Sequence, residues 1–139
     1  MKHRFLENVA IADIAFEAEA ETLEGLFAEC GKALTETMAD PEKIGGAGKK
    51  EFSVEGKTNE ELLYNFLSEL VYVKDVEGLL FKKFEVKIFP GDASVKCSGD
   101  SLEKIGAKNL RNDVKAITMH LFKIEGMKKG FKATVVVDI

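Results

Sequence analysis

Four groups in this chain can act together around a cation. They are the side-chain carboxylates of Asp13 and Asp138, the α-carboxylate of Ile139 and, as a cationic companion, Lys115. Ligand sets made only of oxygen suit hard cations such as calcium or magnesium, and they do not suit zinc or copper. Three anionic groups held together repel one another, so a metal ion or Lys115 has to neutralise them. The alternative is that Ile139 is only a core residue and that the two aspartates are solvated charges.

The remaining reactive side chains do not form a catalytic pattern. His3 lies in a basic segment, residues 1–4, which we expect to be frayed, and His120 lies on a predicted strand as a core or rim residue. No serine or cysteine neighbours a histidine in a way that indicates activation, and the paired cysteines of zinc sites are absent from the sequence. The glycines at residues 43–50 lack the Gly-Lys-Ser/Thr of a phosphate loop. The sequence therefore favours a protein that is not an enzyme.

Length and composition predict one folded domain over residues 1–139. Hydrophobic residues make up 45% and charged residues 32%, which is typical of an ordinary globular protein. The net charge of −4 argues against direct nucleic-acid binding, because contacts with phosphates need a basic surface. Cys30 and Cys97 fall on a predicted helix face and strand, which indicates buried thiols in a reducing compartment. Without an apolar run of membrane-spanning length or a signal segment, the protein is expected to be cytoplasmic.

A strand and a helix are predicted after the N-terminal segment. Residues 10–20 alternate in polarity, which predicts a half-buried strand with Asp13 on its acidic outer face. Thr22 is a good N-cap, and Glu24 lies in the first turn, where the helix dipole favours an anion. The apolar side chains that follow recur at helical spacing: Leu23, Leu26, Phe27, Cys30, Ala33, Leu34 and Met38. Asp40 and Pro41 end this helix.

A second unit of the same kind follows. Residues 51–55 predict a short strand, and Thr58 with Glu61 forms a capping box that begins a second amphipathic helix. Residues 84–89 and 93–98 predict two strands around a Pro-Gly-Asp turn. The order of these elements is strand, helix, strand, strand.

The C-terminal part of the chain predicts a β-hairpin. Residues 101–110 form a polar connector, after which residues 110–120 and 131–139 alternate on either side of a polar link at residues 125–130. Together with the first strand and helix, this hairpin completes another strand-helix-strand-strand unit. The sequence therefore predicts an α+β fold of two nested modules, with antiparallel sheets and two helices, in which an inner module of about residues 50–99 is inserted in the outer one.

Several motifs across nearly the whole chain resemble the archease family. They are ETLEGLFAEC at the first helix, TMAD at its end, ELLYNFLSEL in the second helix, VKAITMH in the penultimate strand and VVVDI at the C-terminus. The last two are the most specific. The usual family opening, Glu-His-Thr-Ala-Asp, is replaced here by Val-Ala-Ile-Ala-Asp, which keeps only Ala12 and Asp13 of that motif.

The resemblance implies a function and a set of site residues. Archeases are accessory proteins that activate the RtcB-type tRNA splicing ligase, promoting its guanylylation by GTP and its repeated turnover. The family binds a metal through aspartates near the two chain ends, which correspond here to Asp13 and Asp138, with the Ile139 carboxylate alongside. The lysine of the Lys-Ala-Ile-Thr run, Lys115, is the other functional position. The expected cation is calcium, with magnesium or manganese as alternatives, and the expected partner is the ligase.

A different class of function is compatible with the same pattern. Strand-helix-strand-strand units also serve as small-molecule or protein-client binding modules, including chaperone-like ones, because a fold does not determine a function. A guanylylation assay of the ligase, with and without this protein, separates the two hypotheses.

Overall fold

The computed structural model describes residues 1–7 and 13–139, and within them seven strands form two antiparallel sheets. The four-stranded sheet has the order β1 (Lys2–Leu6), β2 (Asp13–Ala20), β7 (Gly130–Asp138) and β6 (Ala116–Met127). The three-stranded sheet has the order β3 (Gly48–Glu55), β5 (Asp92–Ser101) and β4 (Leu79–Phe89). One sheet thus comes from the two ends of the chain and the other from its middle.

Two long helices lie between the sheets. Helix α1 (Leu23–Met38) packs against β2 on one side and β4 on the other, and α2 (Asn59–Glu77) packs against β6 and β3. Because α1 is covered from both sides, nearly all of its residues after the first turn are buried. Side chains from both sheets and both helices form one continuous core.

The predicted α+β fold of nested strand-helix-strand-strand modules is confirmed. Helix α2 connects β3 to β4 within the three-stranded sheet, and the chain leaves the four-stranded sheet after β2 and returns to it at β6. One further short helix, α3 (Leu102–Ile105), and a 3-10 turn at Ala107–Asn109 lie in the segment predicted as a polar connector. No helix in residues 1–7 and 13–139 has the length and apolarity needed to span a bilayer.

The starts of both long helices are fixed by the threonines that the sequence indicated. Thr22 Oγ1 accepts a hydrogen bond from the Gly25 amide at 3.0 Å, and Thr58 Oγ1 accepts one from the Glu61 amide at 3.1 Å. Gly78 ends α2 in the left-handed conformation, φ 65°, which a glycine adopts without a steric cost. These local signals are why both helices begin where they were predicted to begin.

Three local expectations need correction or adjustment. The N-terminal segment is not frayed, since β1 pairs along its whole length with β2. The C-terminal hairpin is confirmed, but β6 begins at Ala116 and not at residue 110, and it pairs with β7 as far as Met127, so the turn is shorter than the predicted link. The predicted first strand is present from Asp13 onward, and its residues 10–12 lie outside the part that the structure describes.

Both cysteines are buried free thiols, as predicted. Cys30 is fully buried on α1, and Cys97 is 5% exposed on β5. Burial disfavours the thiolate and raises the pKa of Cys97 to about 12, so the sulfur is not a nucleophile near neutral pH.

Candidate functional site

Asp13 and Asp138 are directly opposite each other on neighbouring strands. Strand β2 pairs antiparallel with β7, and the register places these two residues as cross-strand partners at one end of the pair. Side chains in such positions share a face, with Cβ atoms about 4.5–5.5 Å apart. Both residues are only partly buried. Like charges in this arrangement are destabilising, so the pair has a physical reason to attract a cation.

Lys115 is tied to the same place through its backbone. Its amide donates a hydrogen bond of 2.8 Å to the carbonyl oxygen of Asp138, and β6 begins at the next residue, which is opposite Asp138. The Lys115 side chain is exposed. In the described ranges, no carboxylate lies within the 4.0 Å ion-pair distance of its amine. The backbone of Lys115 therefore lies beside Asp138, while its side-chain amine forms no ion pair with Asp13 or Asp138.

The strand that follows Lys115 departs from the predicted alternation. Ile117 is buried against the helices, but Met119, which the pattern placed on the same face, is 67% exposed. Pairing between β6 and β7 is irregular between Thr118 and Lys123, and Leu121 takes a φ of 58°. Positive φ in a bulky residue is a strained conformation. The irregularity turns Met119 and Leu121 outward, and His120 is likewise exposed rather than part of the core.

The segment before Lys115 is held by the end of α1. The amide of Arg111 donates to Met38 O at 2.7 Å, and the amide of Asn112 donates to Thr37 O at 3.1 Å. The Arg111 side chain adds a hydrogen bond of 2.9 Å to the carbonyl of Glu36. The last carbonyls of a helix lack partners within the helix, and here a distant segment satisfies them. The end of α1 thereby fixes the position of the chain that leads to Lys115.

A buried lysine fixes the same segment from the other side. Lys74 on α2 is 7% exposed, and its amine contacts Asp113 Oδ1 at 2.5 Å, Asp75 Oδ1 at 2.7 Å and Val114 O at 2.8 Å. Burial alone lowers a lysine pKa, but the hydrogen bonds that the amine donates to the two carboxylates outweigh it and raise the pKa of Lys74 above its usual value. The amine is therefore charged at physiological pH.

A cleft of about 450 Å³ opens beside Asp13. Residues from β1, β2, the end of α1 and the segment before Lys115 line it: Phe5, Leu6, Asp13, Ile14, Glu36, Thr37, Arg111 and Asn112. Asp13 is thus accessible from a concavity that also contains a guanidinium, an amide and a second carboxylate. These are the kinds of group that orient an anionic or metal-bound ligand.

His3, which was expected to be incidental, is a structural contact. Its Nδ1 lies 2.6 Å from Glu29 Oε2, and its Nε2 lies 3.4 Å from Glu36 Oε2. Glu29 is 6% exposed, so the imidazole is the partner that makes its burial tolerable. The expectation was wrong because the contact joins an edge strand to α1, 26 residues away in the chain. Glu36 connects this contact to the cleft beside Asp13.

The fit to a metal ion is partial. The donors at Asp13 and Asp138 are oxygen atoms only, the type that calcium, magnesium and manganese prefer. Within residues 1–7 and 13–139, however, no three histidine, cysteine or carboxylate side chains converge as a metal-binding group. The described side chains supply an opposed pair of carboxylates, and the predicted third ligand, the α-carboxylate of Ile139, adjoins that pair in the chain.

Several residues of this region were not identified from the sequence. Lys74, Asp113, Arg111 and Glu36 have the appearance of ordinary helix or turn charges in the sequence. The available signal was that the polar run Arg-Asn-Asp directly precedes the most specific motif of the chain. Its role in binding α1 and α2 depends on tertiary placement, which periodicity does not report.

Comparisons with known proteins agree with this architecture. The model of the Archease protein family matches residues 3–139. The protein archease of Archaeoglobus fulgidus is 38% identical over the full length of both chains, and that of Pyrococcus abyssi is 37% identical over 92% of this chain and 93% of its own. The solution structure of Methanobacterium thermoautotrophicum protein 1598 superposes with a TM-score of 0.85 at 30% identity, covering 99% of this chain and 98% of that one. A crystal structure from Thermotoga maritima, described as an archease and possible chaperone, shares the fold, with a TM-score of 0.67 at 21% identity over 99% and 100% of the two chains.

Proposed function

The chain belongs to the archease family, and on that premise we propose that it is a non-catalytic activator of an RtcB-type tRNA splicing ligase. It promotes the guanylylation of the ligase by GTP and the repeated turnover of the ligase in tRNA splicing. The guanylyl transfer itself is the chemistry of the ligase. The observation that supports this role most directly is the opposition of Asp13 and Asp138 beside the backbone of Lys115.

The carboxylate pair gives the activator a means to hold a metal ion. Asp13, Asp138 and the α-carboxylate of Ile139 are the proposed ligands, and calcium is the proposed ion, with magnesium or manganese as alternatives. Hard cations commonly complete their coordination with water, so three carboxylates are enough protein ligands to hold such an ion. When bound, the ion supplies positive charge where the phosphates of GTP need neutralisation. This chain contributes the strand register that keeps the carboxylates together.

Lys115 is the proposed second contributor. Its amine is exposed and carries a charge that the surrounding side chains do not neutralise within ion-pair distance in the described ranges. Its backbone amide is hydrogen-bonded to Asp138, and the two residues before it, Asp113 and Val114, accept hydrogen bonds from the amine of Lys74. A lysine on a fixed backbone is suited to meet a phosphate group or an acidic side chain of a partner.

The exposed apolar side chains of β6 supply a surface for that partner. Met119 and Leu121 are 67% and 55% exposed, and they follow Lys115 closely in the chain. Strained backbone at an exposed position is more readily explained by function than by stability. We therefore place the ligase contact on the β6 surface formed by Met119 and Leu121, next to Lys115.

The proposal is tested by guanylylation of a purified RtcB-type ligase with GTP. Native protein is expected to increase the rate and to allow turnover beyond one equivalent of ligase. Lys115→Ala and Lys115→Met should remain folded and lose the stimulation. Lys123→Ala is the matched control, because Lys123 lies on β6, the strand that follows Lys115, and is also exposed, with its own partner in Glu125 at 3.5 Å. Equal stimulation by native protein, Lys115→Met and Lys123→Ala would exclude a role for the Lys115 charge.

Binding of protein clients is a second candidate function, which the same exposed apolar side chains favour. The Thermotoga maritima protein of this fold is described as a possible chaperone. Light scattering from a thermally aggregating client tests this alternative. If the protein suppresses aggregation equally with and without Lys115 and leaves the ligase unaffected, the client-binding function replaces the activator function.

A further inference from the structure

A second cavity, of about 890 Å³, lies on the three-stranded sheet and is about twice the volume of the cleft beside Asp13. It is lined by consecutive residues of β3, β4 and β5 together with Lys32 of α1. Neither of the aspartates discussed above contributes to it. The proposed ligase activation makes no use of this region.

The lining of the cavity is basic, although the chain as a whole carries a net charge of −4. Five lysines and two glutamates contribute to it. Two of the lysines are neutralised locally: Lys50 contacts Glu77 at 2.8 Å, and Lys96 contacts Glu51 at 3.6 Å. The other three are Lys32, Lys49 and Lys83, and none of them has a carboxylate within 4.0 Å in the part of the chain that the structure describes.

Two of these lysines flank a hydroxyl group. Lys49 of β3 is the cross-strand partner of Ser98 on β5, and Ser98 is in turn the partner of Lys83 on β4. Neighbouring strands lie about 4.7–4.9 Å apart, so the two lysine backbones are separated by about 10 Å, with Ser98 between them on the same face. Two flexible lysine stems at that spacing can bring both amines to one anion above the serine hydroxyl.

The lysine of α1 borders the cavity from the other face of the sheet. A Cβ atom on Gly31 would lie only 3.0 Å from the ring of Phe84, so Phe84 faces α1. Because side chains alternate along a strand, Lys83, the residue before Phe84, points to the opposite face, together with Ser98 and Lys49. Lys32 is therefore separated from these two lysines by the sheet.

We propose that the face of the sheet formed by Lys49, Ser98 and Lys83 binds a phosphate group, with the two lysines supplying the positive charge and the Ser98 hydroxyl a hydrogen bond. A phosphate oxyanion relieves the mutual repulsion of two like charges, and lysine binds phosphate as a compact point charge. The phosphate belongs either to a free compound, such as a nucleoside triphosphate, or to the backbone of an RNA. Both sources present the same chemistry to the two lysines.

Calorimetric titration of the metal-free protein with inorganic pyrophosphate at low salt tests the site without any ligase. The double variant Lys49→Ala/Lys83→Ala is expected to bind at least about tenfold more weakly, the equivalent of about 1.4 kcal/mol. The matched control is Lys87→Ala, because Lys87 is exposed and lies two residues beyond Glu85 on the same strand but does not line the cavity. Since all three of these lysines are exposed, their replacement leaves the fold intact, which circular dichroism verifies.

Parallel titrations with GTP and with a single-stranded RNA identify the source of the phosphate. Tighter binding of GTP than of pyrophosphate indicates a nucleotide. Tighter binding of RNA indicates a nucleic-acid backbone. In that case the slope of log affinity against log salt concentration should be smaller by about 1.4 in the double variant, because each lost lysine–phosphate contact removes about 0.7 for a single strand. The proposal is overturned if the native protein does not bind pyrophosphate at low salt, or if the double variant and Lys87→Ala bind all three probes as the native protein does.

Discussion

The amine of Lys74 lies 2.5 Å from Asp113 Oδ1, although the two residues are 39 positions apart in the chain. The same amine donates to the carbonyl of Val114, a residue with no exposed surface. Lys115 follows directly, and its amide is bonded to Asp138. One buried cation on α2 therefore fixes the position of the segment that leads directly to the proposed functional lysine.

Replacement of Lys74 by methionine should destabilise the protein. Methionine keeps most of the volume but leaves the buried Val114 carbonyl without a donor, which costs about 1–3 kcal/mol. Urea denaturation measures the change in the free energy of unfolding. Because the pKa of Lys74 is raised from 10.5, the stabilisation is complete below that value and is lost only as the pH rises through the folded pKa. The difference from native protein should therefore be constant between about pH 6 and about pH 9.

Two comparisons make the Lys74 prediction specific. Lys128→Met, at an exposed turn position, should leave the unfolding midpoint unchanged. Lys74→Arg should recover part of the stability, because a guanidinium restores the charge in a different geometry. If Lys74→Met unfolds at the native urea concentration, the amine is not the support of the segment before Lys115.

Replacement of Asp13 by asparagine should have opposite effects with and without calcium. In the absence of metal, removal of one of two opposed charges should raise the free energy of unfolding by about 0.2–1 kcal/mol. With calcium at about 100 times its Kd, native protein should gain about 2.7 kcal/mol and the variant much less. Thermal melts with calcium and with a chelator measure both effects. Glu19→Gln is the control, since Glu19 is on the same strand and pairs with Lys2 at 3.1 Å; an equal calcium response in Asp13→Asn and native protein would contradict the metal site.

Replacement of Leu121 by asparagine should separate stability from partner binding. Asparagine tolerates the left-handed conformation that Leu121 adopts at φ 58°, so the free energy of unfolding should be maintained or should rise by up to about 1 kcal/mol. Loss of the exposed apolar side chain should nevertheless raise the concentration needed for half-maximal stimulation of the ligase. Met127→Asn, at the other end of β6, is the control. Identical stimulation curves for Leu121→Asn and native protein would move the ligase contact away from this surface.

Glu17 should contribute to the free energy of unfolding at neutral pH, and this contribution should be lost in acid. Its carboxylate lies 2.7 Å from Arg4 Nη2 and 3.3 Å from Lys132 Nζ, which joins β1, β2 and β7. Burial raises the pKa of Glu17, but the hydrogen bonds from these two cations outweigh it and lower the pKa below 4.5. This contribution is therefore present above about pH 4.5 and is lost as the pH falls through the folded pKa. The free energy of unfolding should exceed that of Glu17→Gln by about 0.2–1 kcal/mol at pH 7, and urea titrations should show this difference shrinking as the pH falls through the folded pKa of Glu17.

The fold was predictable where local chemistry and periodicity point to the same structure. Thr22 and Thr58 fix the helix starts through side-chain hydrogen bonds to nearby amides, which depend on sequence neighbours alone. The opposition of Asp13 and Asp138 was partly predictable, because two strands joined in one antiparallel sheet bring the chain ends to the same edge. The order of elements then determined the nesting of the two modules.

The contacts that were not predictable are pairings between distant side chains. The contact of His3 with Glu29 and the contact of Lys74 with Asp113 have no periodic signal, since neither depends on sequence spacing. The positive φ of Leu121 interrupts a strand that alternation alone predicts to be regular. Each of these features arises from the packing of one element on another, and two of them adjoin the proposed site.

Extension of the chain beyond Ile139 tests the most specific part of the proposed metal site. If the α-carboxylate of Ile139 is a ligand, a Gly-Gly tail converts it into a neutral amide carbonyl and moves the charge away, while every side chain stays in place. The tail should cost little stability, because Ile139 is only partly buried and an exposed terminus tolerates additions. Calcium affinity, measured by calorimetry, and stimulation of the ligase should both fall substantially, and a Gly-Gly extension before Met1 should change neither. A core role alone predicts the reverse ranking: Ile139→Ala would lower stability by up to about 2 kcal/mol for a partly buried side chain, and the C-terminal tail would have no effect. Native calcium affinity in the tailed protein would leave Asp13 and Asp138 as the only proposed metal ligands.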